Sequence, residues 1–200
     1  MLHHEDDRCQ VRRVVLGPLR TNVHVLRCRA TGDAVLIDAA ADAPQLVAMC
    51  RELGVSRVLE THGHADHVAA VPGMRAAGYP VGIAPLDAGM IAAHDFDLAD
   101  GQEIEVGELR LRTMFTPGHT PGWTCFHLEA QGVLFAGDTL FPGGPGATRP
   151  PLGDFGTIIR SISERLFTLD PAIVVMPGHG ADTTIGAERP HLDEWIDRGW

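Results

Sequence analysis

His62-Gly63-His64-Ala65-Asp66-His67 follows directly on the apolar run Val55-Ser-Arg-Val-Leu-Glu-Thr61. Four metal-competent side chains therefore crowd into one turn at the end of a strand-like segment. Three further donors have the same setting: His119 in Pro117-Gly-His-Thr-Pro-Gly122, Asp138 in Phe135-Ala-Gly-Asp-Thr-Leu140, and His179 in Met176-Pro-Gly-His-Gly180. Each sits where a strand-like run ends and the chain turns through glycine. Donors on such loops are held by a rigid scaffold yet stay open to a cleft, as a catalytic metal requires. The pattern works only if these strand ends share one rim, and that demand decides the fold.

Imidazole and carboxylate donors without thiolate favour zinc, iron or manganese. The donors His62, His64, Asp66, His67, His119, Asp138 and His179 exceed what one tetrahedral ion uses, because a catalytic zinc keeps about three protein ligands and an open position. Two divalent ions account for them, zinc first, with iron or manganese as alternatives. His62, His64 and His119 would hold one ion, Asp66, His67 and His179 the other, and the two oxygens of Asp138 could bridge them. Ions roughly 3.5–4 Å apart can share a water and lower its pKa. Thr120 is a candidate to orient His119 from behind. His24 and His127 lie in alternating β runs and read as packing or surface residues.

The 200 residues suit one domain, with 44% hydrophobic residues for a sizeable core. The net charge of −10 argues against nucleic acid or an anionic membrane as partner. All 16 basic residues are arginine, which removes lysine-based covalent chemistry. The scattered cysteines Cys9, Cys28, Cys50 and Cys125 read as reduced thiols. With no secretory pattern in Met1–Arg8, the expected location is cytoplasmic.

Strand-like runs occupy 11–16, 23–28 and 34–38, with a hairpin turn at Thr31-Gly-Asp33. A helix is expected over 44–53, stopped by Gly54, and another from near Asp66. Further strands are expected at 81–83, 103–106, 109–116, 124–128, 132–136 and 172–176. Phe155, Ile158, Ile159, Ile162 and Leu166 keep helical spacing from Asp154, a plausible N-cap, to Thr168. A short terminal helix over 188–198 would turn Leu192 and Trp195 inward. This order suggests two sheets packed face to face with helices outside; an open three-layer α/β sheet is the alternative.

The ordered donor set resembles the metallo-β-lactamase superfamily over nearly the whole chain, from the hairpin ending at Asp38 to Pro177-Gly-His179. The resemblance implies an α/β protein, a single-domain αββα sandwich over residues 11–200 behind a flexible N-terminus, residues 1–10. It implies His62, His64, His119 and Asp138 as ligands of the first ion, and Asp66, His67, Asp138 and His179 as ligands of the second. Asp66 would also be catalytic, orienting the attacking hydroxide. Thr61-His62, the Pro-Gly-His-Thr-Pro-Gly segment and Gly137-Asp-Thr-Leu-Phe141 look most like hydroxyacylglutathione hydrolase and its short bacterial relatives. That implies hydrolysis of a small-molecule thioester, with a thiolate as leaving group.

The family's basic and tyrosine contacts to glutathione have no clear counterpart, since the chain lacks lysine and has only Tyr79. The segment Phe141-Pro-Gly-Gly-Pro-Gly-Ala-Thr-Arg-Pro150 also differs and reads as a mouth loop, with Arg149 a candidate contact for an anionic substrate. The thiol carrier is therefore glutathione or another low-molecular-weight thiol. The rival activity is a mononuclear-iron persulfide dioxygenase, which Glu60-Thr-His-Gly-His-Ala-Asp-His67 resembles. That family carries a Gly-Arg-Thr-Asp-type segment after the bridging aspartate, where this chain has Asp138-Thr-Leu-Phe-Pro-Gly143.

Overall fold

The computed structural model describes residues 1–199. The first sheet runs in sequence order through β1 (Leu2–Glu5), β2 (Cys9–Leu16), β3 (Thr21–Cys28), β4 (Ala34–Ile37), β5 (Val55–Leu59), β6 (Val81–Ile83) and β7 (Phe96–Asp97). The second contains β8 (Glu103–Val106), β9 (Leu109–Phe115), β10 (Thr124–Leu128) and β11 (Val133–Gly137). After a two-strand ribbon, β12 (Leu140–Phe141) and β13 (Gly144–Pro145), the second sheet is completed by β14 (Val174–Pro177) and β15 (Thr183–Thr184). Its order is β15-β14-β11-β10-β9-β8.

Side-chain alternation along the strands sorts the core into three layers. Val11, Leu26, Val35 and Ile37 of the first sheet meet Leu111, Phe126, Val133 and Phe135 of the second in a shared interior. Their neighbours Val25, Leu36 and Val58 face outward onto α1 (Ala43–Leu53), α2 (Ala65–Val68) and α3 (Val71–Ala76), which contribute Leu46, Cys50, Val68 and Met74. On the far side, Cys125, Leu134, Ala136 and Val175 pack on α4 (Phe155–Ser161) and the turns after it through Ile158, Ile162 and Leu166. Two short helices, α5 (Ile185–Glu188) and α6 (Leu192–Arg198), close that side with buried Ile185 and Trp195. The layers are thus αββα, and the open three-layer sheet is excluded.

Several elements differ from expectation. Residues 1–10, expected to be a flexible terminus, carry β1, which pairs antiparallel with β2 and is fastened by His3 Nε2 to Asp182 Oδ2 at 2.6 Å. The helix expected over 154–168 is α-helical only to Ser161; a π turn then spans Ile162–Leu166. Asp154 does cap it, its Oδ1 accepting the Thr157 N–H at 2.7 Å. The helix expected from Asp66 is broken into α2 and α3, with Pro72 early in α3. His24 and His127, expected to be packing or surface residues, are packing residues, 2% and 4% exposed, because both faces of β3 and β10 are covered.

Parallel pairing of β4 with β5 and of β11 with β14 puts their C-terminal ends on one side of each sheet. β9 runs the same way as β11, since both are antiparallel to β10. The two sheets are joined at this rim by the Thr124 N–H to the Thr61 carbonyl at 2.8 Å and the Asn22 N–H to the Gly178 carbonyl at 2.6 Å.

Candidate metal centre

The loops after β5, β9, β11 and β14 deliver all seven predicted donors to one cleft. In the first group, His64 Nδ1 lies 3.1 Å from His62 Nε2 and 2.8 Å from His119 Nε2. In the second, His179 Nε2 lies 3.3 Å from His67 Nε2 and 3.2 Å from Asp66 Oδ2. Asp138 stands between them: Oδ1 is 3.6 Å from His67 Nε2, and Oδ2 is 3.4 Å from His179 Nε2 and 4.0 Å from His119 Nε2.

Outward-facing ring nitrogens explain why these rings present lone pairs inward. His67 Nδ1 donates to Asp38 Oδ2 at 2.8 Å, His119 Nδ1 to the Ala147 carbonyl at 2.5 Å, and His179 Nδ1 to the Leu19 carbonyl at 3.0 Å. The Thr61 hydroxyl gives its one proton to Asp38, so it accepts from His62 Nδ1 at 3.0 Å. His62 is also stacked on Trp123, with ring centroids 3.8 Å apart. These contacts select the tautomer and fix each ring, as partners behind metal-bound histidines do.

The arrangement fits divalent cations. His62 Nε2 and His119 Nε2 both lie within hydrogen-bond distance of His64 Nδ1, and one proton there can serve only one of them, so the remaining lone pairs repel unless a cation lies among them. Asp138 Oδ1 is buried without a hydrogen-bond partner, which is costly unless a cation takes its place. Burial lowers the pKa of His62, His64 and His119, keeping them neutral and ready to ligate. In the second group, burial opposes charge on His67, yet the carboxylates of Asp38 and Asp138 raise its pKa well above the usual value. Hydrogen bonds to Asp138 and Asp66 push His179 up to about 10. Positive charge is favoured here, and a cation would replace those protons.

Arg149 lines a cleft of about 360 Å³ with His64, His119, Ala147, Pro150, Pro151 and Leu152. The Thr120 hydroxyl, expected behind His119, instead donates to the buried carboxylate of Asp87 at 2.5 Å. His94 and His191 lie apart, paired with Asp97 and Glu194. A separate group, His4, Asp6 and Cys9, sits at the β1–β2 turn, where Asp6 Oδ1 accepts the N–H of Arg8 and Cys9.

Sequence reasoning assigned no site role to Asp38, Thr61 or Asp87, nor to the Leu19 and Ala147 carbonyls. Asp38 had one signal, a carboxylate ending a buried strand. Its left-handed backbone, φ 63°, aims it across to His67.

A profile of the metallo-beta-lactamase superfamily matches residues 16–179. The chain belongs to that superfamily, whose hydrolase-like fold and clustered His and Asp donors it shares. It is 31% identical to hydroxyacylglutathione hydrolase GloC of Haemophilus influenzae, over 78% of this chain and 84% of that one. It is 34% identical to the mitochondrial persulfide dioxygenase ETHE1 of Homo sapiens, over 80% of this chain and 63% of that one. The crystal structure of TTHA1623 in a di-iron-bound form superposes with a TM-score of 0.76 at 31% identity, covering 89% of this chain and 96% of that one. No helix among the described residues is long and apolar enough to cross a membrane.

Proposed function

We propose that this protein is a dimetal hydrolase of acyl thioesters formed on a low-molecular-weight thiol. The observation that carries the reading is the pair of complete donor sets with Asp138 between them. His62, His64, His119 and Asp138 are assigned to one ion, and Asp66, His67, Asp138 and His179 to the other. Zinc suits the donors, with iron or manganese as alternatives. Bound there, the ions would acidify a shared water and polarise the thioester carbonyl.

The chain's own residues do the remaining work. Asp66 Oδ2 lies 3.2 Å from His179 Nε2; ionised and held beside the second ion, it would accept a hydrogen bond from the attacking water and orient it toward the acyl carbon. The thiol leaves as a thiolate, and with a pKa near roughly 8.5 it needs no acid from the protein. Ala147, Pro150, Pro151 and Leu152 form an apolar wall beside His64 and His119, where the acyl chain would lie away from water. The Arg149 guanidinium, which makes no hydrogen bond or ion pair among the described residues, would meet an anionic group of the thiol carrier. Four free, buried cysteines suit a cytoplasmic location.

Asp138-Thr-Leu-Phe-Pro-Gly143, in place of the Gly-Arg-Thr-Asp-type segment of the persulfide dioxygenases, supports the hydrolase reading. The test is metal analysis together with a panel of acyl thioesters on different thiol carriers and an oxygen-uptake assay with glutathione persulfide. Two ions per chain and thioester turnover are expected. One iron with persulfide-dependent oxygen uptake would overturn the reading.

A further inference from the structure

We infer that Asp87, outside the donor set, is a positioning residue that sets the geometry of the His62–His64–His119 triad. This rests on the two-ion reading above. Asp87 begins a short turn after β6 and is fully buried. Its Oδ2 accepts the Gly63 N–H at 3.1 Å and the Thr120 hydroxyl at 2.5 Å, and its Oδ1 accepts the Gly122 N–H at 2.7 Å. Gly63 separates His62 from His64, while Thr120 follows His119 directly and Gly122 lies two residues beyond Thr120. One carboxylate therefore ties a loop of the first sheet to a loop of the second, and those two loops supply the whole triad.

Space around the clamp supports the same role. A Cβ at Gly122 would lie 2.6 Å from the Asp87 N and 2.8 Å from its Oδ1. At Gly63 it would lie 2.5 Å from Met90 Cβ and 3.1 Å from the Asp87 carbonyl oxygen. Both loops thus press their backbones onto the turn that carries Asp87, with no room for a side chain between. Asp87 forms no ion pair among the described residues. The neighbouring Asp66–His67–His179 group receives no hydrogen bond from it.

Asp87→Asn is nearly isosteric, but its amide NH2 would confront one of the three donors. Thr120→Val removes one donor and leaves the carboxylate. The measurement is titration of metal-free protein with Zn²⁺ by calorimetry and with Co²⁺ by absorption spectroscopy, below the onset of melting. Asp87→Asn is expected to weaken one of two ions by about 10–100-fold, with an altered Co²⁺ spectrum and the other ion within about twofold. Thr120→Val should weaken the same ion several-fold, and excess Zn²⁺ should restore kcat in both variants, which would not follow from a purely structural defect. Two ions bound at unsubstituted affinity in the variants would overturn the inference; if Asp87→Asn does not fold, Thr120→Val decides alone. Failure of the unsubstituted protein to take up two ions would instead overturn the two-ion reading.

Discussion

His62, His67, His119 and His179 each have two jobs, one per ring nitrogen, and only the inward job can be read from the order of residues. The donors are legible because imidazoles and carboxylates recur at strand ends in a set too rich for turn chemistry alone. Their anchors are not, since Leu19 and Ala147 act through backbone carbonyls and Asp38 reaches His67 from 29 residues away. Asp138 is the residue on which both groups depend. Asp138→Ala is expected to lose at least one ion and more than about 100-fold of thioester hydrolysis, because loss of even a residue behind a ligand costs 10–100-fold; full metal content with full activity would remove Asp138 from the centre. Cys125 is the contrasting case. Its buried thiol lies 3.1 Å from Thr116 Oγ1 and 3.4 Å from Thr139 Oγ1, within the helix-facing core. Cys125→Ser should keep the metal content, at a stability cost of no more than about 1–2 kcal/mol, read by metal analysis and denaturation.

Elements place the donors by ending abruptly. At the end of β14 the chain passes Gly178, where a Cβ would lie 2.3 Å from Asp138 Oδ1 and 2.6 Å from His67 Cε1. Gly178→Ala would therefore push on Asp138 and His67 without unpairing any strand. The expected outcome is a fold intact by circular dichroism, weakened binding of one ion, and a fall of about 100-fold in kcat/KM, the scale expected for a displacement near 1 Å. Unchanged kinetics would show that the rim yields more readily than its packing suggests. Elements with long periodic patterns were legible: the strands around the core and the start of α4 at Asp154 stand where alternation and capping put them. The exceptions are short or polar. β1 reads His3-His4-Glu5, whose composition gives no sign of pairing, and it is a strand because β2 offers it an open edge. The helix expected to begin near Asp66 is likewise two short ones, α2 ending at Val68 and α3 starting at Val71 with Pro72 in its first turn.

At the scale of the molecule, the two sheets bury between them one group that titrates far from its usual range. His24 on β3 is covered by Phe135 of the other sheet, at 5.4 Å between ring centroids, and its Nε2 has no hydrogen-bond partner. Burial, with the nearby charges of His3 and Arg13, lowers its pKa to about 3. The unfolded chain takes up this proton near pH 6.5, so the stabilisation is complete above pH 6.5 and is lost as pH falls toward 3. Between pH 7 and pH 4.5 that loss is about 2.5 kcal/mol, at roughly 1.4 kcal/mol per unit below pH 6.5. His24→Leu should therefore gain on the unsubstituted protein by about that amount over the same interval in urea unfolding. Parallel losses in the two proteins would show that His24 is hydrated in the folded state.

From the sequence alone came the candidate donors, the strand-ending glycine turns and the mixed α/β character, because these depend on side-chain chemistry and on periodicity within short segments; the choice of αββα layers over an open three-layer sheet needed the packing of the two sheets. The tertiary structure alone settles which groups stand behind the donors, that residues 1–10 join the sheet, and that Asp87 links two loops through Gly63, 24 residues before it, and Thr120 and Gly122, 33 and 35 residues after it. Those contacts join residues distant along the chain, several through the backbone, and no local pattern carries the distance between two loops brought together by the packing of two sheets.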